Sequence, residues 1–430
     1  MLRHTIFMAL STALRLLTGV VIFIVMARMW GPERFGSFMY LFTITSLVGL
    51  IVDYGFGQQL MRDIGYDKNK TRHIMSGVLA AKLLLSVGVV AVSAIVSVTP
   101  WGASQPVGVF WILLATCIAS SFAETYTCVF RGLGQYQEET RIAAWVNFLH
   151  FGAVLALLFM DYGVTAVALG FLTSRILFLI LTLRTYRRIA PVTQLESTHG
   201  LRVGLRNLRA GLPFAAEAGF TNFQSQADTL IVHHFLGPAA VGIYQAGLRL
   251  MQGANTFAQV LSNVYLPPMA SKTNDAPALK HLANRLFIQM LLLGAGSLLV
   301  FGFGATLITH TLYGNKFQDL SKLMPLFGLL LLFRYIAASH GVTLSAVGLQ
   351  STRVAAITAA LIALFTSAYF LLPRYQLPGM LYASIIAIAC LYVVYALNLV
   401  SRGFPLGINK LNGAAFAAVL GVALFLISGI

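Results

Sequence analysis

Charge is what this 430-residue sequence has least of. Asp, Glu, Lys and Arg make up 10% of it, against roughly 25% in an ordinary soluble domain. A soluble protein so composed would be a core with almost no surface. Acids are the scarcer sign, 13 against 29 Lys and Arg, which leaves a net charge of +16. Cysteine is nearly absent too. Cys117, Cys128 and Cys390 lie in or beside apolar runs without metal-ligand spacing and read as packing residues. The nine histidines are scattered, and no His/Cys/Asp/Glu cluster has the spacing of a metal site. No nucleophile–base pair, G-x-S-x-G or P-loop is present. The one G-x-G, in Arg131-Gly132-Leu133-Gly134-Gln135, joins two helical runs with no βαβ pattern around it. No catalytic residue, metal, cofactor or ATP site is therefore expected, and the chain reads as a non-enzyme. Nucleic acid is not expected as a partner, because the positive charge forms no basic domain outside the apolar runs.

What is abundant is apolar sequence: 58% of residues, with a mean hydropathy of +0.81. Runs of about 20 apolar residues span a bilayer. They fall at roughly 9–29, 37–57, 75–97, 107–128, 142–160 and 164–183, then at 211–234, 243–266, 286–310, 324–347, 354–372 and 379–400. The expected fold is an all-α polytopic membrane protein of about twelve transmembrane helices. Its expected divisions are an N-terminal six-helix lobe (1–184), a basic cytoplasmic linker (185–210), a C-terminal six-helix lobe (211–400) and an extension (401–430). The linker reads either as a plain topology signal or as a holder of anionic headgroups. The run at 412–430 reads as a further helix or as a segment lying on the membrane surface. The first run contains Arg15 and leads into a Gly-Pro turn rather than a small-residue cleavage site, so it reads as a transmembrane helix, not a signal peptide.

One short pattern occurs twice. Gly31-Pro32-Glu33-Arg34-Phe35-Gly36-Ser37-Phe38 and Gly237-Pro238-Ala239-Ala240-Val241-Gly242-Ile243-Tyr244 are both G-P-x-x-x-G followed by an aromatic position. They lie 206 residues apart, close to half the chain, and each joins two apolar runs. Gly and Pro together break a helix and set a turn. Two copies in matching contexts point to two related halves. With the N-terminus taken as cytoplasmic, 19 of the 29 basic residues fall on inner segments, five on outer segments and five within the runs. Lys and Arg accumulate in cytoplasmic loops, so both Gly-Pro turns are placed on the outer face. Six helices per half make the repeats parallel.

The charges within the runs are costly and usually face a protein interior or a wet cavity. The cations are Arg15, Lys82, Arg175, Arg249 and Arg334; the anions are Asp53, Glu124, Glu217 and Asp228. Arg15 and Lys82 lie near enough to an inner surface to snorkel. Arg175 and Arg334 sit mid-helix, either lining a lumen or held in a structural ion pair. Arg249 lies within reach of Asp228 or Glu217 on the neighbouring helix. Asp53 reads equally as a cap, an inner gate or a transport residue. Glu217 and Asp228 are eleven residues apart, about three helical turns, and so share one face. That helix also carries Asn222, Gln224, Ser225 and Gln226, which argues for a water-lined side.

The segment Ala27-Arg28-Met29-Trp30-Gly31-Pro32-Glu33-Arg34-Phe35-Gly36, followed by an apolar helix ending in Asp53-Tyr54-Gly55, resembles the Wzx-type polysaccharide flippases. These belong to the superfamily of multidrug, oligosaccharidyl-lipid and polysaccharide exporters. Leu212-Pro213-Phe214, Asp228-Thr229-Leu230, Leu236-Gly237-Pro238 and Leu312-Tyr313-Gly314-Asn315-Lys316-Phe317 continue the resemblance in order over roughly 1–400. The resemblance implies two six-helix bundles around a central cavity in a bacterial inner membrane. It also implies translocation of a polyprenyl-diphosphate-linked oligosaccharide from the cytoplasmic to the outer leaflet by alternating access. Partners would be that glycan, the lipid bilayer and other membrane proteins of polysaccharide assembly. Arg15, Arg175, Arg249, Arg334 and Lys82 are then the candidate cavity cations for the diphosphate. Asp228 or Glu217 would couple an ion, and Gln224, Gln226, Gln252 and Asn255 would contact the glycan.

Three other readings stand beside it. A cation-coupled drug antiporter of the same superfamily predicts an anionic cavity, but the runs carry five cations to four anions. A membrane glycan polymerase needs a long outer loop with catalytic residues, whereas the longest here, roughly 311–323, carries only Asp319 as an acid. A scaffold leaves the buried charges unexplained. The topology makes a direct prediction. Cysteines introduced at Glu33 and Ala239 should react with an impermeant maleimide on intact cells, and cysteines at Lys68 and Arg206 only after permeabilisation. The opposite pattern would invert the orientation.

Overall fold

A chain crossing lipid must satisfy its backbone internally, which leaves helices or closed barrels, and the computed structural model is helical. It describes residues 2–99, 106–190 and 200–404; within these, the side chains of 2–17, 58, 200–207, 209–218, 220 and 221 are not described. The helices are α1 (Leu2–Asp53), α2 (Phe56–Tyr66), α3 (Thr71–Ser97), α4 (Val107–Leu133), α5 (Tyr136–Phe159) and α6 (Gly163–Ile189). They continue with α7 (Gly200–Ala270), α8 (Ala276–Phe303), α9 (Ala305–Tyr313), α10 (Gln318–Ala346) and α11 (Gln350–Ser401). Among the described residues there is no strand.

Three helices are broken. Gly31 (φ 78°, ψ 175°) divides α1, and Gly237 (φ 80°, ψ −173°) divides α7. Residues with a side chain are rarely found in this conformation, so each Gly sets the break. The Pro that follows is suited to the first position of the next helix. The two sequence repeats are thus the same backbone device. α11 breaks at Gln376 (φ 53°, ψ −132°), between Pro373 and Pro378. Among the described residues, counting each side of a break separately, twelve helical segments are long enough to span a bilayer.

The short α2 falls where no helix was expected, and α9 is the end of the run expected at 286–310, set off from α8 at Gly304. The linker expected over 185–210 is mostly helix: α6 runs on to Ile189 and α7 begins at Gly200. Residues 191–199, and the run at 412–430, lie outside the described residues. The Gly132-Leu133-Gly134 segment ends a helix. Gly134 (φ 79°) donates to the Arg131 carbonyl and Gln135 to that of Phe130, closing the C-terminus of α4.

Contacts divide the chain into two units, one of Met1–Ile22 with Phe38–Ala227, the other of Phe23–Ser37 with Asp228–Ile430. The boundary differs from the expected lobes: it falls inside α7, and residues 23–37 join the second unit. The reason is a reciprocal contact between the repeats. A Cβ on Gly36 would overlap the Pro238 carbonyl, and a Cβ on Gly242 would overlap the Pro32 carbonyl. The last glycine of each motif seats the proline carbonyl of the other. Arg28 Nη1 donating to the Thr311 carbonyl, and Lys316 Nζ to that of Met29 (3.2 Å), add to this seam.

The first unit has its core where α2, α3, α4, α5 and α6 bring together Phe56, Met75, Phe130, Val146 and Phe178. In the second, α10 is buried along most of its length, with Leu329, Leu332 and Ile336 against Phe287, Leu291 and Leu298 of α8. Gly36→Val and Gly242→Val should each cost about 1–3 kcal/mol through overpacking. Gly253→Ala, where a Cβ meets nothing within 4 Å, should leave thermal unfolding in detergent unchanged. Equal Tm values for all three variants would contradict the reciprocal seam.

Candidate functional site

Three polar groupings sit within the helices. The first surrounds Lys82 of α3, which is 1% exposed. Its Nζ lies 3.2 Å from Asp53 Oδ1 and donates to the Ser121 carbonyl (2.8 Å), Ser121 Oγ (2.7 Å) and Thr125 Oγ1 (2.6 Å). Ser121 Oγ in turn donates to Asp53 Oδ1 (3.1 Å). A buried ammonium is tolerable only when paired and hydrogen-bonded, and here every donor is spent. Lys82 was expected among the cations available to a diphosphate. In this arrangement it has no donor left for one, because Asp53 and two hydroxyls enclose it. Asp53 also ends α1, and Tyr54 (φ 48°) and Gly55 (φ 68°) then turn the chain into α2.

The second grouping lines a cavity of about 250 Å³ between α4, α5 and α6 of the first unit. α4 supplies Glu124, Thr127, Cys128 and Arg131, spaced as one helical face. α5 supplies Glu139, Val146 and Asn147, and α6 supplies Arg175 and Phe178. Arg131 grips Glu139 as a fork, its Nε 3.0 Å from both carboxylate oxygens and its Nη2 on Oε1. Arg175, expected to line a central lumen or to sit in a structural ion pair, lines this cavity within the first unit. Its co-lining residues Glu124, Asn147 and Glu139 were not among the expected site residues. The α4 periodicity 124, 127, 128, 131 would have marked the face of Glu124, while Glu139 and Asn147 come from α5.

The third grouping belongs to the second unit. Asp228 is buried and accepts from Tyr244 Oη (2.9 Å), the Thr229 amide (2.8 Å) and Thr229 Oγ1 (3.3 Å). Gln245 Nε2 donates to Thr229 Oγ1 (2.6 Å). Two adjacent pairs, Asp228-Thr229 and Tyr244-Gln245, thus face each other across the Gly237 break. Arg334 of α10 lies within electrostatic reach of Asp228 and Tyr244. Its Nε is buried without a hydrogen-bond acceptor. Arg249 was expected within reach of Asp228 or Glu217, and the side chain of Glu217 lies outside the described residues. Arg249 stacks over the Phe23 ring at 4.0 Å and donates to Gln252 Oε1 at 2.8 Å. Tyr244, one turn nearer the break, takes the place at Asp228.

The remaining expected residues divide. Gln224 and Gln226 fall in the first unit, both half-buried, and Asn255 in the second, also half-buried; Gln252 is exposed. The side chains of Arg15 and Glu217 lie outside the described residues. Among the described residues no group of three or more His, Cys, Asp or Glu is placed to hold a metal ion.

Breaking the Lys82 pair should cost more than replacing it. Asp53→Asn leaves a buried ammonium without its countercharge, a loss of about 3–5 kcal/mol. Adding Lys82→Met should recover part of that loss, read as Tm in detergent. A double variant no more stable than Asp53→Asn alone would contradict the pairing.

The fold is shared with solved transporters. The lipid II flippase MurJ in an inward closed conformation superposes with a TM-score of 0.74 at 15% identity, covering 98% of this chain and 92% of that one. An inward-facing multidrug resistance MATE family transporter of the MOP superfamily superposes at 0.67 and 15% identity, covering 90% and 94%. In sequence, the amylovoran biosynthesis protein AmsL of Erwinia amylovora is 25% identical over 209 residues, which are 47% of this chain and 51% of that protein. That match therefore spans about half of the relative's length. A family model described as polysaccharide biosynthesis protein matches residues 25–322, a range that contains both Gly-Pro breaks and the cavity-lining helices. This multi-pass membrane protein, with the fold of flippases and multidrug transporters, belongs to the polysaccharide biosynthesis protein family.

Proposed function

We propose that this protein translocates a polyprenyl-diphosphate-linked oligosaccharide from the cytoplasmic to the outer leaflet of a bacterial inner membrane, by alternating access. The observation that carries the reading is the family match over residues 25–322 in a chain whose long apolar helices carry guanidinium groups, among them Arg175 and Arg334. A lipid-linked glycan has an apolar tail at home in the bilayer and a head that is not. The diphosphate is its most costly part to desolvate. Arg249 and Arg334 are the residues assigned to it in the second unit, since a guanidinium presents a planar fork to phosphate oxygens and stays charged when half-buried. Gln252 and Asn255, on the same helix as Arg249, supply amide groups for the adjoining sugar. Asp228, with Tyr244 and Thr229 around it, is the residue assigned to an ion that drives the cycle. The cytoplasmic N-terminus follows from the distribution of Lys and Arg.

The test is reconstitution into liposomes with a short polyprenyl-diphosphate oligosaccharide, scored by its access to an externally added glycan-cleaving enzyme. Arg249→Ala and Arg334→Ala should each slow translocation about tenfold or more, the loss of one charge-assisted contact of about 1.4 kcal/mol or above. Arg→Lys variants should fall between. Wild-type rates in both Ala variants would remove the diphosphate path. Efflux of a cationic dye in place of glycan translocation would favour a drug antiporter.

A further inference from the structure

We infer that the cavity between α4, α5 and α6 is a recognition subsite for one neutral sugar ring of the transported glycan, not a site for its diphosphate. The inference rests on the flippase reading for the source of the sugar, but its physical basis is the cavity itself. Two basic side chains of the first unit are held by carboxylates. Lys82 is paired with Asp53, and Arg131 with Glu139. Of the charged residues lining the cavity, Arg131 and Arg175 are balanced by Glu124 and Glu139. A diphosphate placed here would face two carboxylates in a low-dielectric setting and gain no net attraction. A polyhydroxylated neutral ring meets what it needs. The Arg175 guanidinium and the Asn147 amide donate. The Glu124 carboxylate, the Asn147 carbonyl and the Thr127 hydroxyl accept. The Phe178 and Val146 side chains offer an apolar wall to the C–H face of the ring.

Size narrows the ligand further. Sites for drug-sized molecules hold about 300–1,000 Å³, and this cavity holds about 250 Å³. It admits a single ring rather than a whole repeat unit. The lining runs from Arg131, beside the α4–α5 turn, to Glu124, two helical turns deeper. Arg175 is thereby moved from the diphosphate to the sugar, where it selects a ring by the direction of its hydroxyls.

The test is equilibrium binding of a radiolabelled panel of neutral methyl glycosides to the full-length protein in lipid nanodiscs, with inorganic pyrophosphate as competitor. At least one glycoside should bind saturably, and excess pyrophosphate should leave that binding unchanged. Glu124→Gln and Asn147→Ala, each folded as judged by Tm, should weaken it about tenfold. Gly253→Ala should not alter it. Saturable binding to no glycoside, displacement by pyrophosphate, or affinities unmoved by both cavity variants would each overturn the subsite. Because no translocation is scored, the two readings fail separately. Sugar binding without transport retires the flippase and keeps the subsite, and transport without sugar binding does the reverse.

Discussion

A charge held at membrane depth must find its countercharge, or a polar cavity, within the protein, and the arrangement of this chain follows from that constraint. Water is not there to solvate it, and an isolated ion costs several kcal/mol even after the surroundings relax. In the first unit the solution is pairing. Lys82 is closed in by Asp53, Ser121 and Thr125. In the second unit the solution is different. Asp228 is satisfied by a hydroxyl and an amide, and Arg334 acts on it through space while keeping a buried Nε without an acceptor.

The second constraint is steric. Each G-P-x-x-x-G motif breaks its own helix at the first glycine and receives the other motif's proline carbonyl at the last. Any side chain at Gly36 or Gly242 would push the two breaks apart. A duplicated sequence thus became an interlocking pair, each copy supplying both the knob and the socket. This contact explains why residues 23–37 belong with the second unit although they come from the first helix.

Much of the fold was legible in the sequence. Apolar runs of bilayer length, and breakers at Gly31 and Gly237, were enough to place twelve spanning segments. The short helix α2 was not legible, because its length and mixed composition match those of a loop; α9 was legible only as the end of the 286–310 run, not as a helix of its own. Individual charges at depth were visible as well, since a Lys or Arg inside an apolar run stands out. Their partners were not. Asp53 and Lys82 lie 29 residues apart on different helices, and periodicity gives a residue's face but not what that face meets. Arg249 illustrates the limit: sequence left it a choice of Asp228 or Glu217, and gave no sign of the Phe23 ring and Gln252 amide it lies against. Glu124, Asn147 and Glu139 escaped the site list for the same reason. They become a site only when α4, α5 and α6 come together.

The most direct measurement is the leaflet distribution of the polyprenyl-diphosphate glycan in cells with and without this protein, using an impermeant probe that modifies only outward-facing sugar. A flippase predicts that the lipid-linked glycan accumulates inside, shielded from the probe, when the protein is removed, and becomes accessible again when it is restored. Equal accessibility in both cells, with the glycan synthesised at the same level, would contradict it.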